Sequence, residues 1–280
     1  ASTPLGATDR AGAILFPEAT LNNNIDYGKQ RSKIAWYQIE QTLQQYKGPD
    51  NPLSDNLLAL SDPRTREVYQ KEIFPQRTNS FGDVQLVTFD LTYYPLDKGP
   101  YNYESRSAIV NANGQFRNPK KNWGGLMRQI DQTDFETNNI QFIEFWLQDP
   151  YILPQYDTTT GGKLYFNLGN VSEDILKDGR RFYENGLPTP QAPSNVDTSN
   201  WGIVPRNPLQ VTDAFNSIPE NRTLQDIGFD GLDDTDEASK FQLYLAELAL
   251  NFGTNSKAYQ DAINDPSQDN YKYYRDPSFT

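Results

Sequence analysis

The run from Asp226 to Glu237, DIGFDGLDDTDE, is the stretch whose residue types and spacing come nearest to chemistry. Counted from Asp226, a carboxylate stands at the first, fifth and ninth places, glycine at the sixth and glutamate at the twelfth. Calcium loops use this arrangement because hard cations take oxygen ligands and the closing Glu offers both of its oxygens. The expected ligands are Asp226, Asp230, Asp234 and Glu237, with the backbone carbonyl of Leu232 at the seventh place. Gly228 departs from the pattern, standing where a third-place Asp or Asn is usual, and no convincing helix enters the loop. The competing reading is an acidic turn capping the helix that follows, since carboxylates favour the positive N-terminal end.

Other chemistry is narrowed by what the chain lacks. It contains neither cysteine nor histidine, which removes Ser-His-Asp and Cys-His catalysis and the usual zinc ligands. A carboxylate enzyme stays open. Glu144 sits between aromatics in FIEFW, a setting that favours a protonated acid when buried, as in glycosidases built on β-sandwiches. No second carboxylate lies two or four residues away, so a buried Glu bonded to backbone, or one facing water, competes with that role. Trp123, Trp146, Trp201 and the YNY and YKYY clusters are candidate stacking surfaces for sugar or peptide, against a packing role in core and turns.

The formal charge of −12 argues against nucleic acid and anionic membranes, and Lys120-Lys121 and Arg180-Arg181 are too small to form a phosphate-binding patch. No apolar run approaches the length of a membrane-spanning helix. The opening at Ala1 carries no initiator Met and no leader pattern, which points to a piece of something longer.

The elements that would position these residues are mostly strands. Aromatic content of 13 %, with 19 Pro and 18 Gly, suits β-structure and tight turns better than a helical bundle. Val84–Tyr94 alternates, with Val87, Phe89, Leu91 and Tyr93 on the greasier face, and Pro95 is expected to stop it. Ile140–Leu147 is apolar on both faces apart from Glu144, which reads as a strand buried on both sides. Leu164, Phe166 and Leu168 form one face of a partner strand. Asn113-Gly114 marks a hairpin turn. Arg31–Gln45 fits either a helix or, at Ile34 and Trp36, a short strand. Asp62 followed by Pro63 predicts a capped helix start, and Ser172 a capped helical turn. Glu237–Asn251 predicts a helix with Phe241, Tyr244, Leu245 and Leu248 on one side and Gly253 as its stop. The expected fold is mainly β: a jelly-roll type β-sandwich with peripheral helices and a helical C-terminal portion. Residues 1–187 would hold the sandwich with an N-terminal helix and loop region, residues 188–200 a Pro-rich linker or long loop, and residues 201–280 a mixed, helical region.

A longer series of motifs resembles one family. ASTP at the start is followed by RSKIAWYQIE, LTYYPLDKGPYNY, NWGGLMRQI, TDFETNNIQFIEFWLQDP, GGKLYFNLGNVSEDILKDGRRFYENGLP, DIGFDGLDDTDE and DPSQDNYKYYR. In that order, across nearly all 280 residues, the series is similar to the SprA/Sov proteins. These are the very large outer-membrane translocons of the type IX secretion system of the Bacteroidota, required for gliding motility in many of them. The resemblance implies a non-catalytic soluble region of a giant β-barrel translocon, guiding cargo or docking partner subunits. It implies other type IX secretion components and secreted cargo proteins as partners. It also implies a place at the outer membrane and cell surface, with the extracellular side favoured over the periplasmic. A cell-surface carbohydrate-binding sandwich is the alternative reading.

Overall fold

Alternating side chains in SKIAWY and DLTYYPLDK produce a strand pair, β1 (Ser32–Tyr37) and β2 (Asp90–Lys98). The computed structural model describes residues 25–78, 82–126, 134–152, 161–166, 194–198, 202–206, 228 and 230–270. Arg31–Gln45 therefore contains both readings: β1, and then one helical turn, α1 (Gln41–Gln44). The expected strand at Val84–Tyr94 is displaced toward its C-terminus. Gln85 makes only an isolated bridge to Tyr69, and β2 runs through Pro95 to Lys98. A proline is tolerated there because β2 has a partner on one side only in its two-stranded sheet. The Pro95 carbonyl is not idle: it accepts hydrogen bonds from Ser32 Oγ and from Asn122 Nδ2, both at 3.0 Å.

Asp62 does not open a helix. Its carboxylate turns back on Arg64, taking the backbone N–H at 2.9 Å and the guanidinium at 2.6 Å, and the Arg64 bonds hold it at a pKa of about 2. Short helices flank it at α2 (Leu57–Leu60), capped by Asn56, and α3 (Gln70–Ile73), which ends before Pro75.

The chain divides into two units, each discontinuous in sequence. One comprises Ala1–Ile34, Tyr93–Met127 and Phe166–Thr280; the other comprises Ala35–Thr92 and Arg128–Tyr165. Among the described residues there are two two-stranded sheets, β1–β2 and an antiparallel pair of β3 (Val196–Thr198) with β4 (Ile203–Pro205). β3 falls inside the stretch expected to be a linker or long loop. Residues 140–147 carry no regular strand, and their apolar side chains are exposed, Phe142 at 76 % and Trp146 at 71 %. Leu164 and Phe166 are exposed as well, while Leu168 and the turn expected at Ser172 lie outside the described residues. The described residues thus neither assemble a jelly roll nor rule one out.

The buried core lies in the first unit and is helical on one side. The helix expected over Glu237–Asn251 is broken at Phe241 into α4 (Asp234–Lys240) and α5 (Gln242–Phe252), and Gly253 ends it at φ 83°. α6 (Lys257–Asn264) follows, capped by Ser256. Phe241, Tyr244, Leu245 and Leu248 all point inward, as their spacing predicts, and meet Tyr101, Tyr103, Ala258 and Ala262. Tyr103 stacks on Phe241 at 4.3 Å between ring centroids and meets Tyr244 edge-on at 5.5 Å. The YNY tyrosines are therefore core residues, not turn packing. The Asn113-Gly114 hairpin is present, bridged at Val110 and Phe116, and its Ala112 carbonyl receives the first amide of the Ala258 turn at 3.0 Å.

One cation is enclosed in this core. Lys98 Nζ donates to Tyr244 Oη at 2.5 Å and to the Glu104 carbonyl at 3.3 Å. Burial lowers its pKa to about 7, against the opposing pull of Glu104 and Asp261. The unfolded chain then binds more protons than the native one between pH 7 and the ordinary lysine value of 10.5. Stability contributed through Lys98 is accordingly lowest below pH 7 and rises with pH through that window. In urea unfolding from pH 7 to about 10, the stability of the wild type relative to Lys98→Met should rise with pH. The raised Glu237 carboxyl pulls both proteins alike in the other direction, and Lys98→Met should be the more stable protein at pH 7.

Candidate metal centre

The acidic run folds as a loop leading into α4. Gly228 and Gly231 adopt positive φ, 52° and 72°, so the chain turns sharply on either side of Asp230. Asp233 caps the helix, its Oδ1 accepting from the Thr235 and Asp236 amides at 3.0 and 2.9 Å. One acid of the run thus serves as the helix cap, and the others are left for a different role.

Asp230 and Glu237 turn into the core, at 0 % and 1 % exposure. The segment after α6, Asp265–Asn270, folds back over them. Ser267, fully buried, donates its amide to Glu237 Oε2 at 3.1 Å and its hydroxyl to Asp230 Oδ2 at 3.1 Å. The same hydroxyl lies 2.8 Å from Tyr103 Oη, and the Ser267 carbonyl takes the Tyr101 amide at 2.7 Å. Asp230 Oδ1 accepts the Leu232 amide at 3.1 Å. Asn270 Nδ2 reaches both oxygens of Asp234, at 3.1 and 3.3 Å.

Carboxylate oxygens of Asp230, Glu237 and Asp269 lie within 4.8 Å of one another, and so do those of Asp234, Glu237 and Asp265. Glu237 belongs to both sets. Its Oε1 is buried and has no hydrogen-bond partner among the described residues. Burial, and after it the Asp269 and Asp230 carboxylates, push the Glu237 carboxyl well above the ordinary range; only the Ser267 bonds oppose this. Burial raises Asp230 as well, against the Leu232 amide and the Ser267 hydroxyl.

Of the ligands expected from spacing, Asp230 and Asp234 each lie near Glu237 but in separate groups, and Asp226 lies outside the described residues. Leu232 contributes an amide to Asp230 and a side chain to the core. Asp265 and Asp269 were not expected. Their signal in the sequence is the acidic turn DPSQD, which has no calcium-loop spacing of its own. Glu144 is exposed, not enclosed by its aromatic neighbours. Trp123 is partly buried under the Arg31 guanidinium, 5.3 Å from its ring, and Trp201 lies outside the described residues.

No protein-family model matches the chain, and a search of curated proteins finds no match either. Within the site, Ser267 is the residue whose removal isolates the geometry from the charge. Ser267→Ala deletes the hydroxyl shared by Asp230 and Tyr103 and should cost roughly 1–3 kcal/mol, as expected for a buried acceptor left without its donor. Chemical denaturation of wild type and variant measures it.

Proposed function

We propose that this chain is a non-catalytic soluble region of an outer-membrane protein-secretion translocon of the type IX system, where it guides cargo or docks partner subunits. The ordered series of motifs, which resembles the SprA/Sov proteins, is what supports the family reading. The observation that carries the docking role is the apolar run at residues 140–147, whose Phe142, Phe145, Trp146 and Leu147 are exposed. Contiguous exposed apolar side chains are found where another surface covers them. No described helix is long and apolar enough to cross a membrane, in keeping with a region outside the bilayer, although this says nothing of a β-barrel elsewhere in the same protein. The partners under this reading are other type IX components and secreted cargo, on the extracellular side in preference to the periplasmic. Protease treatment of intact cells producing the full translocon should cleave within this region. Complete protection until the outer membrane is permeabilised would place it on the periplasmic side.

A second reading, a cell-surface carbohydrate-binding module, is favoured by two exposed tryptophans. Trp36 stands 5.5 Å from Phe89, and Trp146 stands 6.1 Å from Phe74 in an edge-on pair. Exposed aromatic faces are the usual platforms for sugar rings. Under the translocon reading a glycan array gives no binding, whereas retention of one glycan class, lost in Trp146→Ala, would favour the module.

A further inference from the structure

The acidic loop lacks a ligand at its third place, and the structure shows what fills that space. A side chain begun at Gly228 would place its Cβ 1.8 Å from Asp269 Oδ2 and 2.6 Å from Tyr101 Oη. The carboxylate of Asp269 therefore lies where a third-place aspartate of the loop would project. It meets there Asp230 and Glu237, the fifth- and twelfth-place acids, within 4.8 Å. Glu237 Oε1 is buried among them with no donor to bond. Among the described residues the forces acting on the Glu237 carboxyl are burial, two further carboxylates and the Ser267 bonds, with no Lys or Arg. Three acids brought together with an oxygen left unbonded require a positive charge from outside the chain, or protons shared between them.

We propose that Asp230, Glu237 and Asp269 bind one divalent cation, calcium by the chemistry of the set, and that Asp269 supplies from the C-terminal segment the carboxylate the loop lacks at Gly228. Asp234 and Asp265 flank the same Glu237 and extend the oxygen shell. The ligands are all oxygen, which selects a hard cation, and they come from two separate segments, a shell that suits the flexible coordination of calcium better than the near-ideal octahedron of magnesium. The ion's work is structural. It ties Asp265–Asn270 to the loop and to the start of α4, beneath Tyr101 and Tyr103. This inference does not depend on the translocon reading, since it follows from the site alone.

The test uses the 280-residue chain stripped with a chelator, titrated with calcium or magnesium, and followed by calorimetry and thermal melting. Calcium should bind at one site with a Kd of about 10⁻³ M or tighter, in the range of extracellular modules or below it. At tenfold to hundredfold that concentration Tm should rise by about 5 °C, with magnesium giving less. Glu237→Gln and Asp269→Asn should lose the calcium shift, while Asp236→Asn, which removes the same charge from the exposed side of α4, should keep it. Glu237→Gln without calcium should melt no lower than the stripped wild type, because it removes a buried charge crowded by two others; this shows that the variant folds. The absence of heat and of a Tm shift in the wild type at calcium tenfold to hundredfold above about 10⁻³ M would overturn the proposal and leave shared protons as the neutralising device. Equal shifts in all three variants would overturn it too, assigning the effect to diffuse binding on an acidic surface.

Discussion

Buried like charge is the constraint around which the described part of this protein is arranged. Asp230 and Glu237 are almost wholly removed from water, and isolated carboxylates are costly to bury. Their neighbours are chosen accordingly. Ser267 divides its amide and hydroxyl between them, Tyr103 joins the same hydroxyl, and the Leu232 amide takes the remaining Asp230 oxygen. Meeting that demand fixes where the last described segment lies, and through Tyr101 and Tyr103 it fixes the aromatic side of the core against α5 and α6.

How much of this was legible in the sequence depends on whether the signal was local. The apolar spacing of Phe241, Tyr244, Leu245 and Leu248, the stop at Gly253 and the turn at Asn113-Gly114 were readable because each depends on neighbours a few residues away. The nearness of Asp230 and of Asp234 to Glu237 was readable for the same reason. Asp269 was not, because nothing in DPSQD announces that it returns to Gly228; only the fold juxtaposes them. Tyr101 and Tyr103 looked like turn residues because burial by distant helices leaves no periodic trace in a stretch as short as YNY.

Residues 140–147 show the opposite limit. An apolar run with no polar face was read as a strand buried on both sides, and its side chains are instead exposed with no strand partner among the described residues. Hydrophobicity alone says that a surface is to be covered, not what covers it. A run completed by another polypeptide is written in the same residues as one completed by its own sheet.

The unit that holds the core is assembled from three separated stretches of chain, with residues 35–92 and 128–165 belonging to the other unit. One of its buried hydrogen bonds spans 164 residues, from Tyr103 to Ser267. Such a unit has a high contact order: its first two stretches bond to each other, as Ser32 does to Pro95, but Tyr101 and Tyr103 have no helices to pack on until the last has emerged. The acids of the loop stay hydrated and mutually repelling until Ser267 arrives. Arrival of the segment around Ser267 is therefore the event that locks this core. A chain cut short of residue 267 would keep every helix of the core and still lack its closure.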